Sequence, residues 1–141
     1  MKIDKINDTD YKIYIFKYNE AMNTDIVKVL INKLKDKLKL SGFYRVIVIN
    51  KKIGTFIEIV RIEKSFYKNV LDLKIIIEED KVYFKTDDYF KIKDMNSIKY
   101  YNNNYYVLVD DSFNNIIEKV EFGEFIFGDG ELSLIDNFEV I

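Results

Sequence analysis

Between Thr24 and Gly42 the apolar positions return every three or four residues, as they do nowhere else in the chain. At 100° per residue, Ile26, Val27, Leu30, Ile31, Leu34 and Leu38 share one arc of about 140°. Lys28, Asn32, Lys35, Asp36 and Lys39 fall on the other side. This spacing predicts an amphipathic helix. Asn23 or Thr24 can cap it by accepting a hydrogen bond from a first-turn N–H, and Asp25 lies where the helix dipole favours an anion. Lys37 and Lys39 fall in the last turn, where a cation is favoured, and Gly42 can take the left-handed conformation that closes a helix. Burying six aliphatics at roughly 1.5–3 kcal/mol each gives a gross gain on the order of 10 kcal/mol. Chain entropy offsets most of it, so the helix needs a sheet to lie on.

Elsewhere the period is two. Lys2–Ile6 and Tyr11–Tyr18 flank the turn cluster Asn7-Asp8-Thr9-Asp10 and predict a hairpin. Tyr11–Tyr18 is apolar or aromatic on both faces, which suits an interior strand covered on both sides. Phe43–Ile49 and Thr55–Ile62 predict a second hairpin through Asn50–Gly54. In the second half, Val70–Ile77, Val82–Thr86, Tyr89–Lys93, Ile98–Tyr101 and Tyr105–Val109 read as a meander. Asn102-Asn103-Asn104 forms one of its loops. Glu121–Phe127 and Glu131–Ile135 read as strands across the tight-turn signal Gly128-Asp129-Gly130. Residues 113–120 fit either a short helix or a strand, and the apolar tail Asp136–Ile141 is expected to pack. The expected fold class is α+β: one domain over residues 1–141, with a main amphipathic helix on a largely antiparallel sheet of about seven to nine strands.

Composition narrows the chemistry. The 141 residues are 48% hydrophobic and 33% charged, enough for a real core without a low-complexity hinge. The longest apolar run, Tyr105–Val109, has five residues, far short of the about 20 a membrane helix needs. The N-terminal MKIDKINDTD lacks the apolar core of a secretory signal, so a cytoplasmic location is expected and no membrane partner. Without His or Cys, a Ser–His or Cys–His catalytic pair and the usual zinc, haem or iron–sulfur ligand sets are excluded. No cofactor is expected. The lack of Trp and Pro, together with abundant Lys, Asn, Ile, Tyr and Phe, has the look of an AT-biased bacterial-type genome. Net charge is −2 but uneven: residues 1–69 hold 15 Lys/Arg against 8 Asp/Glu, and residues 70–141 hold 7 against 16.

Several constellations can be weighed. Asp87-Asp88, Asp110-Asp111 and Asp129-Gly130-Glu131 could offer oxygen ligands to a hard cation, but none has calcium-loop spacing, and Asp is a common turn residue. Gly123 and the Gly128/Gly130 pair match no phosphate-binding pattern. The stretch Lys12–Tyr18, with Tyr44 and Arg45, could stack single-stranded bases on an open sheet, although the same aromatics suit a sheet core. The face of the predicted helix carrying Lys28, Lys35 and Lys39 has little structural work to do. It reads as a docking surface for an acidic partner, including the acidic half of a second copy.

The opening MKIDKINDTDYKIYI, followed by a helix and the hairpin GFYRVIVINKKIGTFIEIV, resembles the N-terminal domain of MecA-type Clp protease adaptors. The resemblance is one of element order over about the first 60 residues. It implies an adaptor or interaction role and assigns no residue. The expected function is therefore a non-enzymatic protein-interaction or regulatory module, with protein partners that include a homo-oligomer. A single-stranded nucleic-acid binder using the basic N-terminal half ranks second, and a metal- or carboxylate-dependent enzyme third.

Overall fold

The computed structural model describes residues 1–16, 21–62, 70–110, 122–127 and 131–140. Two compact units divide the chain, Met1–Glu79 and Asp80–Ile141. The class is α+β, sheet-rich with one principal helix. The nine strands among the described residues form two sheets instead of one.

The first unit holds a five-stranded sheet in the order β1-β2-β4-β3-β5, made of Lys2–Lys5, Tyr11–Phe16, Gly54–Ile62, Gly42–Lys51 and Leu71–Glu78 respectively. Local turn chemistry explains the two hairpins. Asn7 Oδ1 accepts hydrogen bonds from the N–H groups of Thr9 and Asp10, folding the β1–β2 turn on itself. β3 and β4 meet with Lys51 opposite Gly54, leaving a two-residue loop. Gly54 sits at φ +152°, and a Cβ there would lie 2.3 Å from the Ile15 carbonyl oxygen, so no larger residue fits. β5 joins β3 in parallel, the one parallel pairing among the described ladders. β2 is paired on both edges, and its two faces are buried, Tyr11 and Ile13 on one side and Tyr14 on the other.

Helix α1, Thr24–Leu34, lies on this sheet and is capped by Asn23, whose side chain accepts from the Ile26 N–H. Val27, Ile31, Leu34 and Leu38 are buried against Ile13, Val46, Val48, Ile57 and Ile59. The winding closes three residues before Gly42. Lys39 takes the left-handed conformation at φ 56°, the Leu40 N–H donates to the Lys35 carbonyl and the Lys39 N–H to the Asp36 carbonyl. Those two bonds are a Schellman closure with a lysine where glycine is usual. Burial of Leu40 draws the chain inward at that point. Gly42, also left-handed at φ 95°, instead opens β3.

The second unit holds a four-stranded sheet in the order β7-β8-β6-β9, made of Lys99–Tyr101, Asn104–Leu108, Tyr83–Thr86 and Glu124–Ile126. A two-residue turn joins β7 and β8, with Asn102 and Asn103 left-handed at φ 49° and 65°, the conformation that asparagine tolerates best after glycine. The meander expected for this half does not form. β5 belongs to the first sheet, and β6 pairs with β8 and β9. Tyr89–Lys91 is a 3₁₀ turn capped by Asp88, and Glu131–Asp136 is a short helix, α2. Leu132 and Ile135 of α2 pack on Tyr83, Tyr106 and Ile126. In the tail Phe138 packs against this cluster and Val140 is exposed. The alternatives for residues 113–120, and the turn at 128–130, lie outside the described residues.

Candidate functional site

The helix face marked in the sequence is solvent-facing. Lys28 and Lys35 are exposed and two turns apart on one stripe, a rise of about 10 Å. Lys39 is also exposed, but its left-handed backbone takes it off the helical stripe. The three are therefore a pair on the helix and a third cation at its closure. Lys33 and Lys37, which the sequence reading left out of the site, are exposed as well. Among the described residues none of the five lysines is in an ion pair, and the same stretch holds only Asp25 and Asp36 as acids.

Ile26 was expected in the core stripe and is instead 39% exposed, beside Val29 at 54%. The buried arc centres on Val27, Ile31, Leu34 and Leu38, and Ile26 lies about 80° or more outside it. Val29 was legible as an apolar residue outside the arc. The exposed surface of α1 thus carries Lys28 and Lys35 on one flank, Ile26 with Lys33 and Lys37 on the other, and Asp25, Val29, Asn32 and Asp36 between them.

Other candidates are committed to structure. Tyr14, proposed to stack bases, is only 1% exposed, and Tyr44 is buried too. Burial pushes the Tyr44 hydroxyl above its usual range. Neither face of the sheet offers these rings to a base, Tyr14 being buried on one and Tyr44 on the other, and Tyr18 lies outside the described residues. Asp88 spends a carboxylate oxygen on the Phe90 N–H. Asp111 and Asp129 fall outside the described residues, as does the side chain of Glu131. No group of three metal-ligating side chains occurs among the described ones.

The densest polar cluster sits at the end of α2. Asp136 accepts from Lys81 Nζ at 2.7 Å and from the Tyr83 hydroxyl at 2.9 Å. Lys99 Nζ donates to the carbonyls of Ile135 and Asp136 at 3.1 and 3.2 Å, and to the Tyr83 hydroxyl at 3.3 Å. The Lys81 and Tyr83 hydrogen bonds hold the Asp136 carboxyl below its usual range. Burial, reinforced by Asp136, pushes the Tyr83 hydroxyl up to about 12. Both shifts move away from neutrality, so the pair is a poor proton donor and acceptor near pH 7 and a good tether for α2.

Beside β6 an open depression of about 260 Å³ is lined by Lys85, Thr86, Asp87, Asn104, Phe122, Gly123 and Glu124. Three of its polar side chains are engaged: the Thr86 hydroxyl donates to the Phe122 carbonyl at 2.7 Å, and Lys85 pairs with Glu124 at 3.6 Å. The 3₁₀ turn projects Phe90, 77% exposed, next to Tyr89. Tyr89 contacts Tyr105 at 5.3 Å and Tyr105 contacts Tyr100 at 5.0 Å, which makes a continuous row of four rings. The sequence reading placed Tyr89–Lys93 in a strand and did not mark this row.

Compared with protein-family models, curated proteins and solved structures, the chain matches none. The likeness to MecA-type adaptors rests on element order alone.

Proposed function

We propose that the protein is a non-enzymatic, cytoplasmic interaction module whose α1 surface docks an acidic protein partner. The observation that carries this reading is the exposed surface of α1 and its closure, where Lys28, Lys33, Lys35, Lys37 and Lys39 make no ion pair among the described residues and outnumber Asp25 and Asp36. A capped helix presents these cations at low entropic cost, and opposite charge on a partner would steer and orient its docking. The apolar groups on this face are aliphatic and cannot stack bases, which ranks a nucleic-acid partner second.

The test compares wild type with the K28E/K35E/K39E variant. Circular dichroism and melting temperature should be nearly unchanged, because the replaced side chains are exposed. Binding of a fluorescent poly-glutamate peptide at low salt should fall by at least about tenfold and weaken in wild type as salt rises. Equal binding by both proteins would reduce the lysines to a solvated face. Binding of single-stranded DNA in preference to the peptide would favour the nucleic-acid reading.

A further inference from the structure

The two cationic flanks of α1 differ in what accompanies the charge. Ile26, Leu30, Lys33 and Lys37 share one arc of about 60°, with Val29 at its border. Ile26 and Val29 are exposed, Leu30 is half-buried at the margin of the core, and Lys33 and Lys37 are exposed. The flank bearing Lys28 and Lys35 has no such company, because the apolar residues next to it, Ile31 and Leu38, are buried. Asp25 and Asp36 lie between the flanks, and both are exposed. Exposed charge by itself is screened by salt and adds little to affinity, whereas apolar side chains covered at the centre of a contact hold it together. Only the Ile26 flank offers both.

Resting on the reading of α1 as a docking surface, we infer that its partner is an acidic amphipathic helix seated along the Ile26–Lys37 flank. Aliphatic side chains of that helix would cover Ile26, Val29 and the open part of Leu30. Two carboxylates one turn apart would meet Lys33 and Lys37, which are themselves one turn apart, a rise of about 6 Å. A helix is the form of partner that repeats this spacing, since residues four apart form a row that packs beside a like row. Asp25 and Asp36 repel carboxylates from the outward pole of α1 and so direct them to its flank. Lys28 and Lys35 then steer the encounter by charge without holding the complex.

Fluorescence anisotropy of the full chain with two labelled peptides of one composition tests this. The first sets two leucines one turn apart and then two glutamates one turn apart on a single helical face, and the second scrambles that order. Wild type should bind the patterned peptide at least about tenfold more tightly than the scrambled one. Ile26→Ser and K33E/K37E should each weaken that binding at least about tenfold. Ile26→Ser should leave poly-glutamate binding unchanged, and K28E/K35E should slow association of the patterned peptide with little change in its dissociation. Because Ile26 is partly covered, Val29→Ser, at a more exposed position, serves if Ile26→Ser fails to fold, with weaker binding of the patterned peptide again expected. Equal affinity for the two peptides, or full affinity in the serine variants, overturns the inference. If poly-glutamate still binds through the lysines, the docking function then stands with a partner read by charge alone. Loss of any response to lysine reversal, in poly-glutamate and in both peptides, overturns the docking reading as well. A wild type that dimerises in sedimentation, and is separated by the patterned peptide, would make the occupant a second copy and overturn the assignment.

Discussion

The two α-helices among the described residues are held to their sheets by different means. α1 is anchored chiefly by aliphatic burial: Val27, Ile31, Leu34 and Leu38 enter the core, the Tyr11 hydroxyl donates to the Leu38 carbonyl at 2.9 Å, and every lysine around them is left to solvent. α2, at six residues, is too short to be secured this way. It buries Leu132 and Ile135 and is then tied by Lys81, Tyr83 and Lys99 to its own C-terminal end. Cations near a helix C-terminus meet unpaired carbonyls and the negative end of the dipole, which is the arrangement Lys99 makes. The lesson is about free charge. Where packing suffices, charged side chains remain available for a partner, and where it does not, they are used within the fold.

Breaking the apolar anchor should have the largest effect. Ile31→Ala should cost roughly 2–5 kcal/mol in urea denaturation, by removing fully buried methyls and leaving a cavity. Lys35→Ala on the outer face should change stability by less than about 0.5 kcal/mol. Equal losses would mean that the faces of α1 are misassigned.

Breaking the polar anchor should cost less. Lys99→Met removes the donor to the Ile135 and Asp136 carbonyls and should cost about 1–2 kcal/mol. The loss should be local, read as faster hydrogen exchange in α2 with α1 unchanged. Uniform acceleration across both helices would contradict the division.

The same contrast has a pH signature. Tyr83 has a folded-state pKa of about 12 against an ordinary 10.0, so its contribution is intact below pH 10 and lost as pH rises through about 12. Asp136 is shifted down from 3.8, so its contribution is present above that value and lost as pH falls through the lower folded-state pKa. Protection of α2 amides should therefore fall at both extremes. Tyr83→Phe should remove the alkaline loss, and its persistence in that variant would assign it to another group.

The smallest expected effect sharpens the comparison from the side of α1. Lys39 holds a left-handed backbone that glycine adopts without strain. Lys39→Gly should stabilise the chain by about 0.5–1 kcal/mol while weakening poly-glutamate binding. A gain in stability with unchanged binding would remove Lys39 from the docking face and leave Lys28 and Lys35.

What the sequence alone determined is the local part of this structure. The α1 period and its Asn23 cap, the Asn7–Asp10 turn, the β3–β4 hairpin and the Asn102-Asn103 turn all depend on residues within a few positions of each other. Side-chain spacing and backbone preference act at that range. The exposed lysines followed from the same helical geometry. Only the tertiary structure decided the division into two sheets, the parallel seating of β5 on β3 and the pairing of β6 with β9 across some forty residues. Strands of similar apolar pattern are interchangeable until packing selects their neighbours, and pairing at that separation carries no local signature. Burial of Tyr14, exposure of Ile26 and the closure of α1 at Lys39 belong to the same class. Each depends on which surface covers a residue. Glu131–Asp136 shows the limit plainly: its residues read as a strand, and it is helical where Lys99 and the Tyr83–Tyr106 cluster receive it.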